Sequence, residues 1–432
     1  MKKPPTGTWM PAWVPESTVV LSCLLMICAM VQSATGGYDG SMLNGLNILP
    51  SYTDYFNLNP ATTGLNTASV FIGCFFGTLC SGVMSDSLGR RPAIFWGSVF
   101  TLIGVILQTA AQNIAMFVVA RIVLGFGSAV SGVSGSVYLT ETFPSRWRAW
   151  GVGLLNDFYY VGALIAAGIT LGTGEWNSTW AWRAPSLFQG IFSLACIIIL
   201  PFIPESPRWL VHQGYYEEAR LTVALTNSNG DQSDPVALTI YKEILDTLNW
   251  EKSQGRTMSP KEIIKTPASR KRLLIGSSAG PFSCIAGNII ASYYLGAELD
   301  TAGITDKTDQ LKANVVLNAW CLVCCLFGTQ LAAKWGRKPT ALLSQALLII
   351  CLFIIGGLSK MYADNPDGAS NALAVYWVET KGKTLEEIDE VFEGEKHSSV
   401  PDVELVRQGK EQIDVGKVEQ QIVAEEQTVH EP

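Results

Sequence analysis

Long apolar runs separated by short polar turns dominate the chain from about residue 18 to 358. A helix rises about 1.5 Å per residue, so about 20 mostly apolar residues cross the ~30 Å hydrocarbon layer of a bilayer. Nine runs meet that length: 18–37, 64–83, 92–111, 114–138, 150–172, 185–203, 273–296, 312–333 and 340–358. The pattern predicts an all-α, polytopic membrane protein. The first run is too long for a signal-peptide core and no A-x-A-like site follows it, so it reads as the first span. Between the sixth and seventh runs lies a polar stretch, 204–272, with helix-like pieces. Within it, Ser259-Pro260-Lys261-Glu262 predicts a capping box with Pro at the first helical position.

Charge sharpens this reading. Only 16% of residues are charged, against roughly 25% in an average soluble protein. No Lys or Arg occurs from Gly37 to Gly89, from Pro92 to Ala120, or from Ala149 to Trp182. Basic residues in short loops mark the cytoplasmic side. Lys2, Lys3, Arg90, Arg91, Arg146, Arg148, the 204–272 stretch, Lys334, Arg337 and Lys338 lie on one side; few lie on the other. The N-terminus and the 204–272 stretch are therefore expected in the cytoplasm. The sequon Asn177-Ser178-Thr179 then falls outside.

Other chemistry is sparse. No basic stripe supports nucleic-acid binding. All ten Cys lie in apolar stretches, which argues against a disulfide framework or a zinc site. Cys321 and Cys324 form a C-x-x-C, but in mid-span. No nucleophile–base set, metal motif or nucleotide loop suggests an enzyme or a cofactor. Gly125-Phe126-Gly127 lies inside a span, where small residues permit close helix packing.

The chain also repeats itself. Gly89-Arg90-Arg91-Pro92 follows the second span, and Gly336-Arg337-Lys338-Pro339 follows the eighth, on the same face. Two related six-span halves around a midplane site are the expected architecture. The arginines are placed to hold helix ends through carbonyls or neighbouring acids.

Several further motifs stand in one order: Gly37-Tyr38-Asp39; Arg121 with Gly125 and Gly127; Glu141 with Pro144 and Arg148; Trp182-Arg183-Ala184-Pro185-Ser186-Leu187-Phe188-Gln189; Pro204-Glu205-Ser206-Pro207-Arg208-Trp209-Leu210; Tyr293-Tyr294; and Glu379-Thr380-Lys381-Gly382-Lys383-Thr384-Leu385-Glu386-Glu387. Over about residues 15 to 393 the chain resembles major facilitator sugar porters, of the fungal lactose- and hexose-permease kind. The resemblance implies a membrane transporter of mono- or disaccharides working by alternating access, with a sugar, protons and the lipid bilayer as partners and the plasma membrane as its place. It implies that Asp39 and Arg121 face each other, with Asp39 taking the proton in symport; a static ion pair is the alternative. The third member of that cluster is an acid in proton-coupled relatives and is Gln189 here. Asp86, Arg90, Glu141, Arg148, Glu205, Arg208 and Arg337 would form a cytoplasmic gate network, or an ordinary salt-bridge cluster.

Sugars are read by side chains that donate and accept at adjacent hydroxyls. Asn156, 35 residues after Arg121, falls where the family has a sugar-binding Gln. Asp157 beside it reads as a helix-interface residue. Asn288, Tyr293 and Asn318 are further substrate candidates, Asn288 and Asn318 serving equally as helix-packing residues. The usual Gln pair of span seven falls on Ser283 and Cys284, and the usual Asn of span eight on Cys321.

After Ser359 a polar loop is expected to Ser370, and Asn371 to Val378 supplies only eight residues before the motif that follows span twelve in the family. Eight residues cannot cross a membrane. Spans ten to twelve are expected to be missing, with a junction near 374–376, as a skipped exon or misjoined gene model would leave. The expected organisation is a tail (1–17), a six-helix bundle (18–203), a cytoplasmic helical linker (204–272), a partial second bundle of spans seven to nine (273–358), a loop with the C-terminal motif (359–393) and a disordered acidic tail (394–432). A non-transporting sensor or regulatory isoform is the other reading.

Overall fold

The computed structural model describes residues 10, 13–253, 270–271, 273–274, 276–277, 295–301 and 304–364. Every element among them is helical. Two compact units divide the chain, Met1–Leu343 and Ser344–Pro432.

In the first unit, α1 (Thr18–Ile48), α2 (Pro50–Thr53), α3 (Pro60–Leu88), α4 (Arg90–Thr109), α5 (Ile114–Thr142) and α6 (Ser145–Thr173) lead to a broken sixth span. That span comprises α7 (Trp180–Phe188), α8 (Gly190–Ile199) and a 3-10 turn (Leu200–Phe202). Then come α9 (Pro207–Gln213), α10 (Tyr216–Asn227), α11 (Pro235–Ser253), α12 (Leu295–Thr301), α13 (Lys307–Trp335) and α14 (Arg337–Asp364). The second unit begins within α14.

Among the described residues, seven helical segments are long and apolar enough to cross a membrane: α1, α3, α4, α5, Trp150–Thr173, Trp180–Phe202 and Lys307–Ala332. The expected seventh run, 273–296, and the expected capping box at 259–262 lie almost wholly or wholly outside the described residues. The helix after the second turn is present as α14. It runs to Asp364, so residues 360–364, expected to open a polar loop, are helical. Polar residues do not stop a helix whose backbone bonds are satisfied internally.

Helix starts follow local chemistry. Asn59 accepts from the Thr62 amide at 2.8 Å, with Pro60 in the first turn. Asn113 accepts from Met116 N at 2.8 Å, and Asp306 opens α13 through the Asp309 amide. Each satisfies one orphan donor of a first helical turn. α1 continues 11 residues past the apolar run ending at 37, because Asp39, Ser41 and Asn44 are buried against other helices.

Small residues set the helix spacing. A Cβ on Gly125 would overlap the carbonyl of Val70, and one on Gly127 would meet Gly97 O at 2.5 Å. The Gly125-Phe126-Gly127 run is thus a packing device, as its position inside a span suggested. An aromatic cluster of Tyr52, Phe56, Phe117 and Trp182 closes the end of the bundle near the exposed Asn177.

Candidate functional site

Three polar groups meet inside the first bundle. Arg121 donates to both Asp39 oxygens, Nη1 to Oδ1 at 3.1 Å and Nη2 to Oδ2 at 3.0 Å. Its Nε donates to the Asn66 carbonyl at 3.1 Å. Gln189 Nε2 donates to Asp39 Oδ1 at 3.1 Å. Arg121 is fully buried and Asp39 is 4% exposed. A bidentate pair with further hydrogen bonds is the geometry that offsets desolvation in hydrocarbon. The expected facing of Asp39 and Arg121 is present, and Gln189 completes the cluster through a neutral donor.

Gln189 reaches Asp39 because the sixth span breaks there. Pro185 lacks an N–H, which leaves the Ala181 carbonyl without its helical donor. Thr173 Oγ1 donates to that carbonyl at 3.0 Å. Tyr38 OH, beside Asp39, donates to Pro185 O at 2.8 Å.

A second constellation sits at the other end of the bundle. Arg90 Nη1 pairs with Asp86 at 3.0 Å, while its Nε and Nη2 reach Glu141 at 3.0 and 3.1 Å. Ser206 Oγ donates to Glu141 Oε2 at 2.6 Å. Glu205 is fully buried and accepts from three backbone amides: Arg90 N at 3.0 Å, Arg91 N at 3.2 Å and Ser206 N at 2.8 Å. It is an anion at the N-terminus of α4, where amides and helix dipole both favour negative charge. Burial nevertheless pushes its carboxyl up to about 6, the amides and the Arg91 charge working the other way. Arg91 points inward, donating to Leu200 O at 3.0 and 3.2 Å. Tyr138 OH donates to Pro204 O. Arg208 and Glu141 line a cleft of ≈ 340 Å³ between α5, α9 and α11. The side chains of Arg148 and Arg337 lie outside the described residues.

Gly89 and Gly336 adopt nearly the same backbone, φ 104°, ψ 164° and φ 91°, ψ 163°. That region belongs essentially to glycine. The two turns are therefore alike in conformation as well as in sequence.

The substrate candidates spread out. Asn156 is exposed, and its amide donates to Val152 O at 3.2 Å in its own helix. Asn318 is buried between α1 and α13. Its amide donates to Ser41 Oγ at 3.2 Å and to Asn314 O and Oδ1 at 2.7 and 3.0 Å. Asn44 donates to Asn314 Oδ1 at 3.1 Å. Asp157 Oδ1 accepts from Cys325 Sγ at 2.8 Å and Thr329 Oγ1 at 2.9 Å, an α6–α13 interface contact. Asn288 and Tyr293 lie outside the described residues.

Sequence reading passed over Ser206 and Thr173. Ser before Pro is an N-cap signature, and Ser206 does accept from Trp209 N at 3.3 Å. Nothing local marked Thr173 as the partner of a carbonyl eight residues on.

The chain is similar to known proteins. The sugar (and other) transporter family model matches residues 25–378. The MFS-type transporter criB of Aspergillus cristatus is 27% identical over 90% of this chain and 98% of its own length. That alignment runs over 460 positions, more than this chain has residues, so some positions of criB face gaps here. The high-affinity glucose transporter of Kluyveromyces lactis is 29% identical over 79% of this chain and 62% of its own length. Among solved structures, the proton:xylose symporter XylE bound to 6-bromo-6-deoxy-D-glucose shares the fold, with a TM-score of 0.65 at 21% identity over 74% of this chain and 71% of that one. The chain belongs to the sugar (and other) transporter family and is a multi-pass membrane protein of the major facilitator fold.

Proposed function

We propose that this chain derives from a plasma-membrane proton symporter of mono- or disaccharides, with Asp39 as its proton carrier. The observation that carries the reading is the buried Asp39–Arg121–Gln189 cluster inside a span. Ionisable residues inside a span are costly to bury and rare, and those that occur commonly mark proton relays or substrate paths. Protonating Asp39 would neutralise the partner of Arg121 and loosen both the α1–α5 contact and the Gln189 bond at the break of the sixth span. The glucose and xylose named for the relatives set the substrate class to test.

Alternating access requires a contact that can break at one end. The Arg90–Glu141–Ser206 set, with Asp86, Glu205 and Arg208 around it, supplies a candidate cytoplasmic lock. Arg148 and Arg337 are proposed members on sequence alone, as Asn156, Asn288, Tyr293 and Asn318 are proposed for the sugar. Asn318 supports this least, since its donors are already engaged.

A regulatory, non-transporting role is the second reading for this particular polypeptide. It is favoured by the short interval, 371–378, before the C-terminal motif. The test is uptake of labelled glucose, xylose and lactose in transporter-null cells at about pH 5 and about pH 7, roughly a hundredfold difference in proton concentration. The cells carry either this chain or a version with three further spans. Proton-driven uptake by the longer form, lost in Asp39→Asn, is expected. Uptake insensitive to both pH and that substitution would remove the symport reading.

A further inference from the structure

We propose that a polar hollow on the cytoplasmic side of Asp39, walled by Gln32, Ser33 and Ser136, is a binding subsite for one face of a small polyhydroxylated molecule of monosaccharide size. The inference rests on the sugar-transport reading above and adds residues that the reading does not contain.

The hollow has a volume of ≈ 190 Å³ and is lined by Ala29, Gln32 and Ser33 of α1, Gly132 and Ser136 of α5, and Leu155 of α6. At ~30 Å³ per water this is about six waters' worth, smaller than the pockets of drug-sized ligands. It adjoins Asn156 through Leu155 in sequence. Gln32 and Ser33 lie seven and six positions before Asp39 on α1, so the hollow is about 10 Å from that carboxylate along the helix.

Its chemistry fits hydroxyl groups. Gln32 is only 7% exposed. Its Nε2 donates to Cys196 Sγ at 2.6 Å, with Ser98 Oγ at 3.5 Å. Its carbonyl oxygen makes no hydrogen bond among the described residues, so the buried amide is oriented by its nitrogen and keeps an acceptor free at the hollow. Ser33 adds a hydroxyl that both donates and accepts. Ser136 Oγ donates to Gly132 O at 2.9 Å, leaving its lone pairs. Ala29 and Leu155 supply apolar contact for the C–H face of a ring.

Gly132 makes the idea testable without disturbing the fold. A Cβ there meets nothing within 4 Å, so a larger side chain enters the hollow rather than a neighbouring helix. The full chain, purified in nanodiscs, is assayed by equilibrium binding of radiolabelled D-glucose, D-xylose and D-mannitol. The wild type is expected to bind at least one. Gln32→Leu, which removes the free acceptor, is expected to weaken binding about tenfold. Gly132→Val is expected to abolish it while leaving the melting temperature and the elution profile unchanged. Asn156→Ala serves as a parallel variant outside the hollow. Binding that survives both Gln32→Leu and Gly132→Val in folded protein overturns the subsite and spares the sugar reading. No binding of any of the three by the wild type overturns the subsite, and uptake by the form with three further spans then decides the sugar reading separately. Should Gln32→Leu fail to fold, Ser33→Ala with Gly132→Val carries the same decision.

Discussion

Asp39 and Arg121 carry opposite charges in a layer where neither could stand alone. Removing one partner of a buried pair costs about 3–5 kcal/mol, so Arg121→Leu is expected to lower the melting temperature sharply in detergent. Asp39→Asn keeps an acceptor for Arg121 and is expected to cost less, a contrast that thermal-shift measurements resolve. Glu205 yields a pH prediction. Its folded value of about 6 stands above the ordinary 4.5, so the folded state holds a proton that the unfolded state releases. The stability this group contributes is therefore full below about 4.5 and lost as pH rises through about 6. Glu205→Gln is expected to remove that inflection from a melting-temperature profile between those values. At this scale the cluster of Asp39, Arg121 and Gln189 was legible through the family motifs. The use of Glu205 was not: acids near arginines suggest ion pairs, whereas this one is taken by amides that no sequence spacing reveals.

Elements obey the same accounting of backbone groups. Pro185 breaks the sixth span, and Thr173 of the preceding helix meets the freed Ala181 carbonyl. Thr173→Val leaves that acceptor unsatisfied and is expected to destabilise by about 1–3 kcal/mol, read from thermal or denaturant unfolding of the folded pool. The paired glycine turns offer an internal control. Both positions are strained for any Cβ, at about 1–3 kcal/mol. A Cβ at Gly89 would also sit 2.7 Å from Glu205 Oε2, while at Gly336 it would meet nothing within 4 Å. Gly89→Ala is therefore expected to lower stability more than Gly336→Ala, and the difference measures the cost of displacing the carboxylate. Span positions were readable from apolar runs, because burial in lipid leaves a long and simple signature. Ends were not: α1 outruns its apolar run to Ile48 because its last turns bury polar side chains against other helices. The break at Gln189 needed the tertiary partners of Pro185 to be seen.

The whole molecule joins a six-span first bundle to a second half of which α13 and α14 are the described long helices. α13 touches the first bundle through Asn314 and Asn318 on α1 and through Cys325 and Thr329 on Asp157. Sequencing the transcript across codons 374–376 is expected to reveal a longer message with an in-frame insert on the order of 60 residues, three spans' worth. An abundant message with this joint alone would favour a true isoform.

Glu205 finally bears on the order in which the chain can settle. It follows the sixth span, yet it holds amides that begin the third, 115 positions earlier. Translation adds about 5–20 residues per second, so over 115 residues the α3–α4 turn waits roughly 6–23 s for its clasp. Until then the Arg90 and Arg91 amides lack the carboxylate that holds them in the folded chain. A ribosome stall between codons 90 and 205 should therefore be more damaging than one just after Glu205 has emerged.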